Sequence, residues 1–537
     1  MSMMKTRMNA ATAIALSLPA VGVARPASTV DTVIRGGTIY TGADAPARTG
    51  DVEIVGDRIV YVGRARGTTA RQVIDARGKI VAPGFIDAHT HPDSYIRSDD
   101  AKDRLNLPWL AQGVSTIVIG VDGYGTPDTA SDAATLETSG IGTNVIPFVG
   151  FGAIRERVIG AADRAPTPHE LGEEKGLAAK AMCEGAYGLS AGLFYAPQRY
   201  ARTEEVIAVA REAGIRDGMY DTHQRDESNY TIGLIASTKE AIRIGREAGM
   251  PVHFAHLKAL GVDVQGMAPA LIATIEAARA AGQDVTADQY PWLASGSAVD
   301  AALVPGWALA GGYKAMIARF DDPATLARVR IEMVENLRRR GGPESILLTA
   351  PDLPWTGRTL GQMATQWKLT PVDAAIRILR VPNDAGTEPR GVGIASFNMA
   401  DRDVDLIMKQ PWVVTSSDGS NGHPRQYATF PRKYQLYVRR RHVIDTRFFI
   451  RHSTGLTADI YKIRDRGYLR PGYFADVVVF DPAGYQPRAD FTHPKIPSVG
   501  VAALFVNGRL ALRDGKATGV AAGRALLRPR PANCPAA

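Results

Sequence analysis

Eight short apolar runs recur along the middle of the chain, each ending in polar or aromatic residues. They read "VAPGFIDAHTH", "VSTIVIGVDG", "TNVIPFVGFG", "AYGLSAGLFY", "GMYDTHQRD", "MPVHFAHLK", "QDVTADQY" and "PWVVTSSDG". Between several of them lie stretches with apolar residues at helical spacing, such as "TEEVIAVAREAG", "STKEAIRIGREAG" and "APALIATIEAARAAG". Strands that alternate with helices imply parallel strands joined by crossovers. Eight such units predict an α/β fold built on a (β/α)8 TIM-like barrel over residues 83–452. The stretch from about 293 to 400, between the last two runs, is too long for one crossover. It is expected to form an inserted helical subdomain or lid, with "ATLARVRIEMVENLRRR" as one helix.

The flanks follow a period of two. Residues 25–82 hold "DTVIRGGTIYTG", "DVEIVGDRIVYVG" and "RQVIDARGKIV", and residues 453–520 hold "GYFADVVVFDP" and "VAALFVNGRLALRDG". Gly-Asp and Asn-Gly pairs mark the turns. The two halves are expected to pack as one small β-sandwich domain beside the barrel, followed by a Pro/Ala-rich tail at 521–537.

Composition narrows the setting. With 537 residues, 45% hydrophobic and 22% charged, the chain suits one large core and a smaller domain. No apolar run approaches the ~18 residues that a membrane-spanning helix needs. Residues 1–24 carry Lys5 and Arg7, then a short apolar run, with Gly22 and Ala24 as small residues at a cleavable position. A secretory signal peptide fits this pattern, with a disordered or mitochondrial-like leader as the alternative. Cleavage would leave a mature chain without a membrane segment, in a bacterial periplasm or outside the cell. The net charge of +8 is scattered apart from "RRRH" at 439–442, which suits a solvated surface, and no nucleic-acid motif accompanies it. The two cysteines, Cys183 and Cys534, make no disulfide framework; an oxidising compartment would permit a bridge between them, but nothing in the sequence requires one. Cys183, in "AKAMCEGA", is expected to be a buried, inert thiol.

Barrel enzymes carry their chemistry at the C-terminal ends of the strands. Here the first run ends in His89 and His91, the second in Asp122 and the fifth in His223. The sixth ends in His256 followed by Lys258, the seventh in Tyr290 and the eighth in Asp418. Alternate strand residues share a face, so His89 and His91 point the same way. Each residue alone has an ordinary alternative, such as a helix N-cap for an aspartate. Together they place imidazoles and carboxylates at one barrel mouth, which suits one or two ions of zinc or a similar divalent metal. His253, three residues before His256, is expected to be a packing histidine.

"VAPGFIDAHTHPD" resembles the first-strand signature of the amidohydrolase superfamily, and "GDRIVYVG" and "FADVVVFDP" resemble its split β-domain. More narrowly, "EGAYGLSAGLFYAPQRYARTEEVIAVA", "YDTHQRDES", "HLK", "YPW" and "SSDGSNGHPRQYATFPR" resemble the D-aminoacylases, in the same order and over 33–515. The resemblance implies that His223 and His256 hold a tightly bound zinc and that His89 and His91 serve a second metal position. It implies Asp418 as general base and acid, and Tyr195, Lys258, Tyr290 and Arg425 as holders of the substrate's α-carboxylate. Three departures stand out. Asp122 occupies the place of a zinc-binding cysteine, Phe151 that of a histidine, and Gly296 that of a carboxylate-binding serine, with Ser295 and Ser297 beside it.

The function expected is metal-dependent hydrolysis of a small molecule, either an N-acyl-amino acid of D-configuration or, alternatively, a small peptide. A cyclic-amide hydrolase would carry a metal-bridging lysine, and Lys258 is the one lysine at a strand end. A solute-binding barrel would need no general base such as Asp418.

Overall fold

The computed structural model describes residues 29–535, apart from 384, 385, 387, 390, 391 and 421; the leader expected over 1–24 lies outside the described residues. All eight apolar runs form strands: β1 (Phe85–Asp87), β2 (Val114–Ile119), β3 (Asn144–Pro147), β4 (Gly188–Gly192), β5 (Met219–His223), β6 (Val252–Phe254), β7 (Val285–Gln289) and β8 (Val413–Thr415). Every residue in them is buried, as expected of parallel strands covered on both faces. Strands β1 to β3 pair in parallel, and so do β4 to β8. A two-residue extension after β3, Val149–Gly150, carries the pairing over to β4.

The ring closes between its first and last strands. Thr90 and Gly419 form a parallel bridge, Asp418 N donates to His89 O at 2.9 Å, and His91 N donates to Gly419 O at 2.9 Å. The backbone that closes the barrel therefore belongs to the candidate site residues. Outside the ring the crossover helices bury one stripe each; helix Leu234–Ala248 turns Leu234, Ala241, Ile242, Gly245 and Ala248 inward at helical spacing.

Both chain ends build the second domain. Ile80–Pro83 pairs antiparallel with Val477–Phe480, and this seam joins five N-terminal and four C-terminal strands into one nine-stranded sheet. Ile34, Ile39, Val52, Val477, Val479 and Phe505 share its core. The C-terminal strands start only at Val477, after helices Thr446–His452 and Gly455–Ile460.

Within the insert, helix Pro323–Arg339 forms where the spacing predicts it, with the Asp322 side chain accepting from Thr325 N at 2.8 Å and Pro323 in the first turn. The insert is not wholly helical. Ala294–Ala298, Ile346–Leu348 and Gly393–Phe397 make a three-stranded antiparallel sheet. "ASGSA" has no apolar alternation to mark it as a strand.

The C-terminal tail is bound to the barrel rather than hanging free. Val145 N donates to Arg524 O, Leu526 N to Val145 O and Arg528 N to Gly185 O, at 2.8 to 2.9 Å. Cys534 then forms a disulfide with Cys183 at the end of helix Pro168–Cys183. The expectation of an inert thiol at Cys183 is corrected: its partner is 351 residues away, beyond any local spacing rule. Cross-linking of so long a loop restricts the unfolded chain and contributes about 2–4 kcal/mol. Cys534→Ser is expected to lower the thermal unfolding midpoint, as reductant would in the unsubstituted protein, and to leave turnover at 25 °C intact; calorimetry with and without reductant checks this.

Candidate active site

The strand ends bring His89, Asp122, His256 and Asp418 together, each buried and each offering an atom within 4.8 Å of the others. His89 Nε2 lies 3.4 Å from Asp122 Oδ1, and His256 Nε2 lies 3.5 Å from the same oxygen. His91 Nε2 reaches Asp122 Oδ2 at 3.4 Å and Asp418 Oδ1 at 3.3 Å. His223 stands alongside, its Nδ1 3.1 Å from His256 Nε2. All six metal and acid–base candidates thus meet at one barrel mouth.

Three of them adopt backbone that side chains rarely take. Asp122, His256 and Asp418 have φ of +54°, +35° and +48°. Such left-handed residues cost about 1–3 kcal/mol each and persist only where surroundings hold them. The holders are visible. Gln198 Nε2 donates to Asp122 O at 2.9 Å, Asp288 accepts from His256 N at 2.8 Å, and Asp87 accepts from Ser417 N at 2.8 Å and Trp109 Nε1 at 2.9 Å. His253 is the packing histidine expected, bonded to Thr286 Oγ1 and Asp288 Oδ2.

Glu227 is the residue that strand-end reasoning missed. It is buried four positions after His223, in the loop beyond β5. Its Oε1 accepts from Lys258 Nζ at 2.6 Å and lies 3.3 Å from His256 Nδ1, and its Oε2 lies 3.7 Å from His223 Nε2. His223, Glu227 and His256 make a second potential metal group that overlaps the first. The repeated acidic positions of "HQRDES" hid it.

The groups placed for a substrate carboxylate separate. Lys258 is paired with Glu227, and Arg425 Nη1 is 2.6 Å from Asp418 Oδ2. Tyr195 lies against His223, with ring centroids 4.8 Å apart. The Tyr290 hydroxyl donates to Met399 Sδ at 3.8 Å, and its ring is a platform under Lys258 and Arg425. Glycine at 296 has a physical reason, because a Cβ there would fall 2.5 Å from Arg425 Nη2. Phe151 packs into the barrel core with Val149 and Ile154.

Charge explains what the cluster requires. Burial alone would raise the carboxyl of Asp122, yet His89, His256 and His91 hold it well below the usual range. Asp418 is also held low against burial, chiefly by Arg425 and His256. The imidazoles answer in the other direction. Despite burial, Asp122 and Asp418 push His91 up to about 9. His256 is pushed up to about 10 by Asp418, Asp122 and Glu227, against burial and Lys258. His223, where burial dominates, falls to about 4. This is a pocket with carboxylate to spare. Both ring nitrogens of His89 and Oδ1 of Asp122 are buried without a hydrogen-bond partner, so the donor set fits a divalent cation.

A closed eight-stranded barrel with buried imidazoles and carboxylates at its C-terminal rim is the build of a metal-dependent hydrolase. The chain belongs to the amidohydrolase family, whose model matches residues 72–511. It is 32% identical over 525 residues to D-aminoacylase of Alcaligenes xylosoxydans xylosoxydans, covering 93% of this chain and 98% of that one. It is 32% identical over 527 residues to N-acyl-D-aspartate deacylase of the same organism, covering 93% and 95%. The crystal structure of N-acyl-D-glutamate deacylase from Bordetella bronchiseptica, complexed with zinc and a phosphonate inhibitor, matches with a TM-score of 0.79 at 28% identity, covering 93% of this chain and all of that one. The protein is a metal-dependent amidohydrolase.

Two outcomes follow from the charge balance. At pH 7 the metal-free site holds protons on His91 and His256, and a metal needs both imidazoles neutral. Zinc binding is therefore expected to release protons and to tighten as pH rises toward about 10, measured by calorimetry in buffers of different ionisation heat. Removal of one partner of the buried Lys258–Glu227 pair leaves the other charge uncompensated. Glu227→Ala is expected to destabilise the metal-free protein by about 3–5 kcal/mol, read from urea unfolding.

Proposed function

We propose that the protein hydrolyses the amide of N-acyl-D-amino acids, giving a carboxylate and the free amino acid. One observation carries this reading: a buried carboxylate, Asp418, faces the imidazole cluster through Oδ1 while Arg425 engages its Oδ2. The similarity to deacylases of N-acyl-D-amino acids over nearly the whole chain supports the substrate class and its configuration.

His89, His91, Asp122, His223 and His256 would hold one or two zinc ions. Zinc supplies a Lewis acid that polarises the scissile carbonyl and lowers the pKa of water toward ~7. Asp418, kept ionised by Arg425 and the imidazoles, takes the proton of the attacking water and delivers it to the leaving nitrogen. Its two oxygens divide the work. Oδ2 is anchored by the guanidinium, and Oδ1 stays at the face where the proton moves. Asp122 would bring a carboxylate oxygen, a harder donor, where a cysteine would bring thiolate. Tyr195, beside His223 on the cavity wall, stands where a substrate carbonyl or carboxylate can meet its hydroxyl.

Export is part of the proposal. The leader over 1–24 supports it, and the Cys183–Cys534 disulfide is the kind of bond an oxidising compartment preserves.

Amine release from paired N-acetyl-D- and N-acetyl-L-amino acids by zinc-loaded protein tests the reading. Turnover confined to the D-series and lost on chelation is expected. Asp418→Asn is expected to lose about 10²–10⁴ in kcat with zinc content retained. Equal rates on both series would refute the configuration, and an active Asp418→Asn would refute the acid–base assignment.

A further inference from the structure

Behind the cavity wall, three helices bring two buried carboxylates and one buried guanidinium together, outside the site described above. Arg155 comes from helix Phe151–Val158, Glu174 from helix Pro168–Cys183 and Glu205 from the first turn of helix Thr203–Gly214. All three are at most 6% exposed. Arg155 Nη1 pairs with Glu205 Oε1, Nη2 donates to Arg164 O at 2.6 Å and Nε donates to Pro197 O at 3.1 Å. Glu174 has no such arrangement. Both its oxygens, and Oε2 of Glu205, are buried without a hydrogen-bond partner among the described residues. One cation thus serves a place with two carboxylates, and its charge is spent on Glu205.

Pro197 O leads to the site. It belongs to the loop 193–201 after β4, which carries Tyr195 and lines the cavity. Gln198, next to Pro197, is 1% exposed; its Nε2 donates to Asp122 O at 2.9 Å and its Oε1 accepts from Gly192 N at 2.7 Å. Gly152, in the helix that bears Arg155, leaves room for this amide, since a Cβ there would fall 2.5 Å from Gln198 Nε2. Asp122 is in left-handed backbone and so depends on what holds it. Arg225 also grips the loop, through Arg199 O and Ala201 O at 3.1 Å each. Arg225 is paired with Glu240, whereas Arg155 has a second carboxylate beside it.

We propose that Arg155 is a positioning residue for the reaction, fixing the loop 193–201 and, through Gln198, the backbone of Asp122, and that Glu174 makes this hold sensitive to pH. The inference rests on Asp122 as a metal ligand in the reading above. Burial, then the charge of Glu205, pushes Glu174 up to about 7, with Arg155 acting against both and Glu170 adding to them. Charges nearby are already engaged, Glu170 with Arg164 at 2.6 Å and Lys175 with Glu212 at 3.3 Å, while Arg225 acts on Glu205. Below about pH 7, Glu174 is a neutral acid and Arg155 serves Glu205 and the loop. Above it, a second buried carboxylate requires a counter-charge, and Arg155 is the cation placed to supply it. A guanidinium drawn toward Glu174 gives up its bond to Pro197 O. The hold on Asp122 therefore weakens as pH rises through about 7.

Two readouts without substrate test this on the full chain: zinc affinity, and deuterium exchange of the loop 193–201, each at about pH 6 and about pH 8.5. The variants are Glu174→Gln, which cannot ionise, and Arg155→Gln with Glu205→Gln, which removes the ion pair as a unit and strands neither charge. His91 and His256 also make zinc binding depend on pH, so each variant is compared with the unsubstituted protein at the same pH. Glu174→Gln is expected to match it at about pH 6 and, at about pH 8.5, to bind zinc about 5-fold or more tightly with a better protected loop. The double variant is expected to bind zinc more weakly and to expose the loop at both values, with exchange in the β-domain unchanged; general loosening would affect both regions. A Glu174→Gln protein that follows the unsubstituted one at both values would overturn the pH device. An unaltered loop in the double variant sinks the role of Arg155, and a loosened loop with unaltered zinc affinity sinks the link to Asp122. Zinc bound by none of the forms sinks the metal reading alone, and loop exchange then still decides whether Arg155 holds Pro197.

Discussion

The structure depends on the balance of charge at the barrel mouth. Asp122, Asp418 and Glu227 are all buried and all ionised, and each would cost several kcal/mol there if it stood alone. Imidazoles, a lysine and an arginine keep them in place, and the unused ring nitrogens of His89 leave room for a metal. The same residues close the ring of strands through Asp418 N to His89 O and His91 N to Gly419 O. Assembly of the site and closure of the barrel are therefore one event. A change that upsets the charges also works against the join between β1 and β8.

Beneath the cluster lies a second polar floor. Asp87 fixes the chain around Ser417 and Trp109, and Asp288 fixes His253, the backbone of His256 and the hydroxyl of Ser416. Asp221, on the inner face of β5, has neither oxygen bonded and is driven well above the usual carboxylate range by burial and by Asp288 and Asp122. In this floor Asp288 is held ionised, against burial, by the His253 hydrogen bond and nearby imidazoles, and its charge helps keep the carboxyl of Asp221 protonated beside it.

Much of this was legible in the sequence. The eight strands announced themselves as apolar runs because parallel strands bury both faces, and their ends named His89, His91, Asp122, His223, His256 and Asp418. What escaped had physical reasons. Glu227 sits in a loop, where no period applies. Asp87 and Asp288 read as members of strands, and only the third dimension shows that they hold other residues in strained backbone. The sheet of the insert has too few apolar residues to signal itself, and a disulfide that spans most of the chain has no local signature.

The seam between Ile80–Pro83 and Val477–Phe480 has a consequence for how the molecule comes into being. The ribosome makes the first five strands of that sheet early and the last four at the end, with the barrel and insert between them. The early strands have an open edge throughout synthesis, and a chain of such high contact order cannot complete a domain from its N-terminus onward. The nine-stranded sheet is therefore complete only once the last four strands arrive, and until then Ile80–Pro83 lacks the antiparallel partner it has in the folded chain.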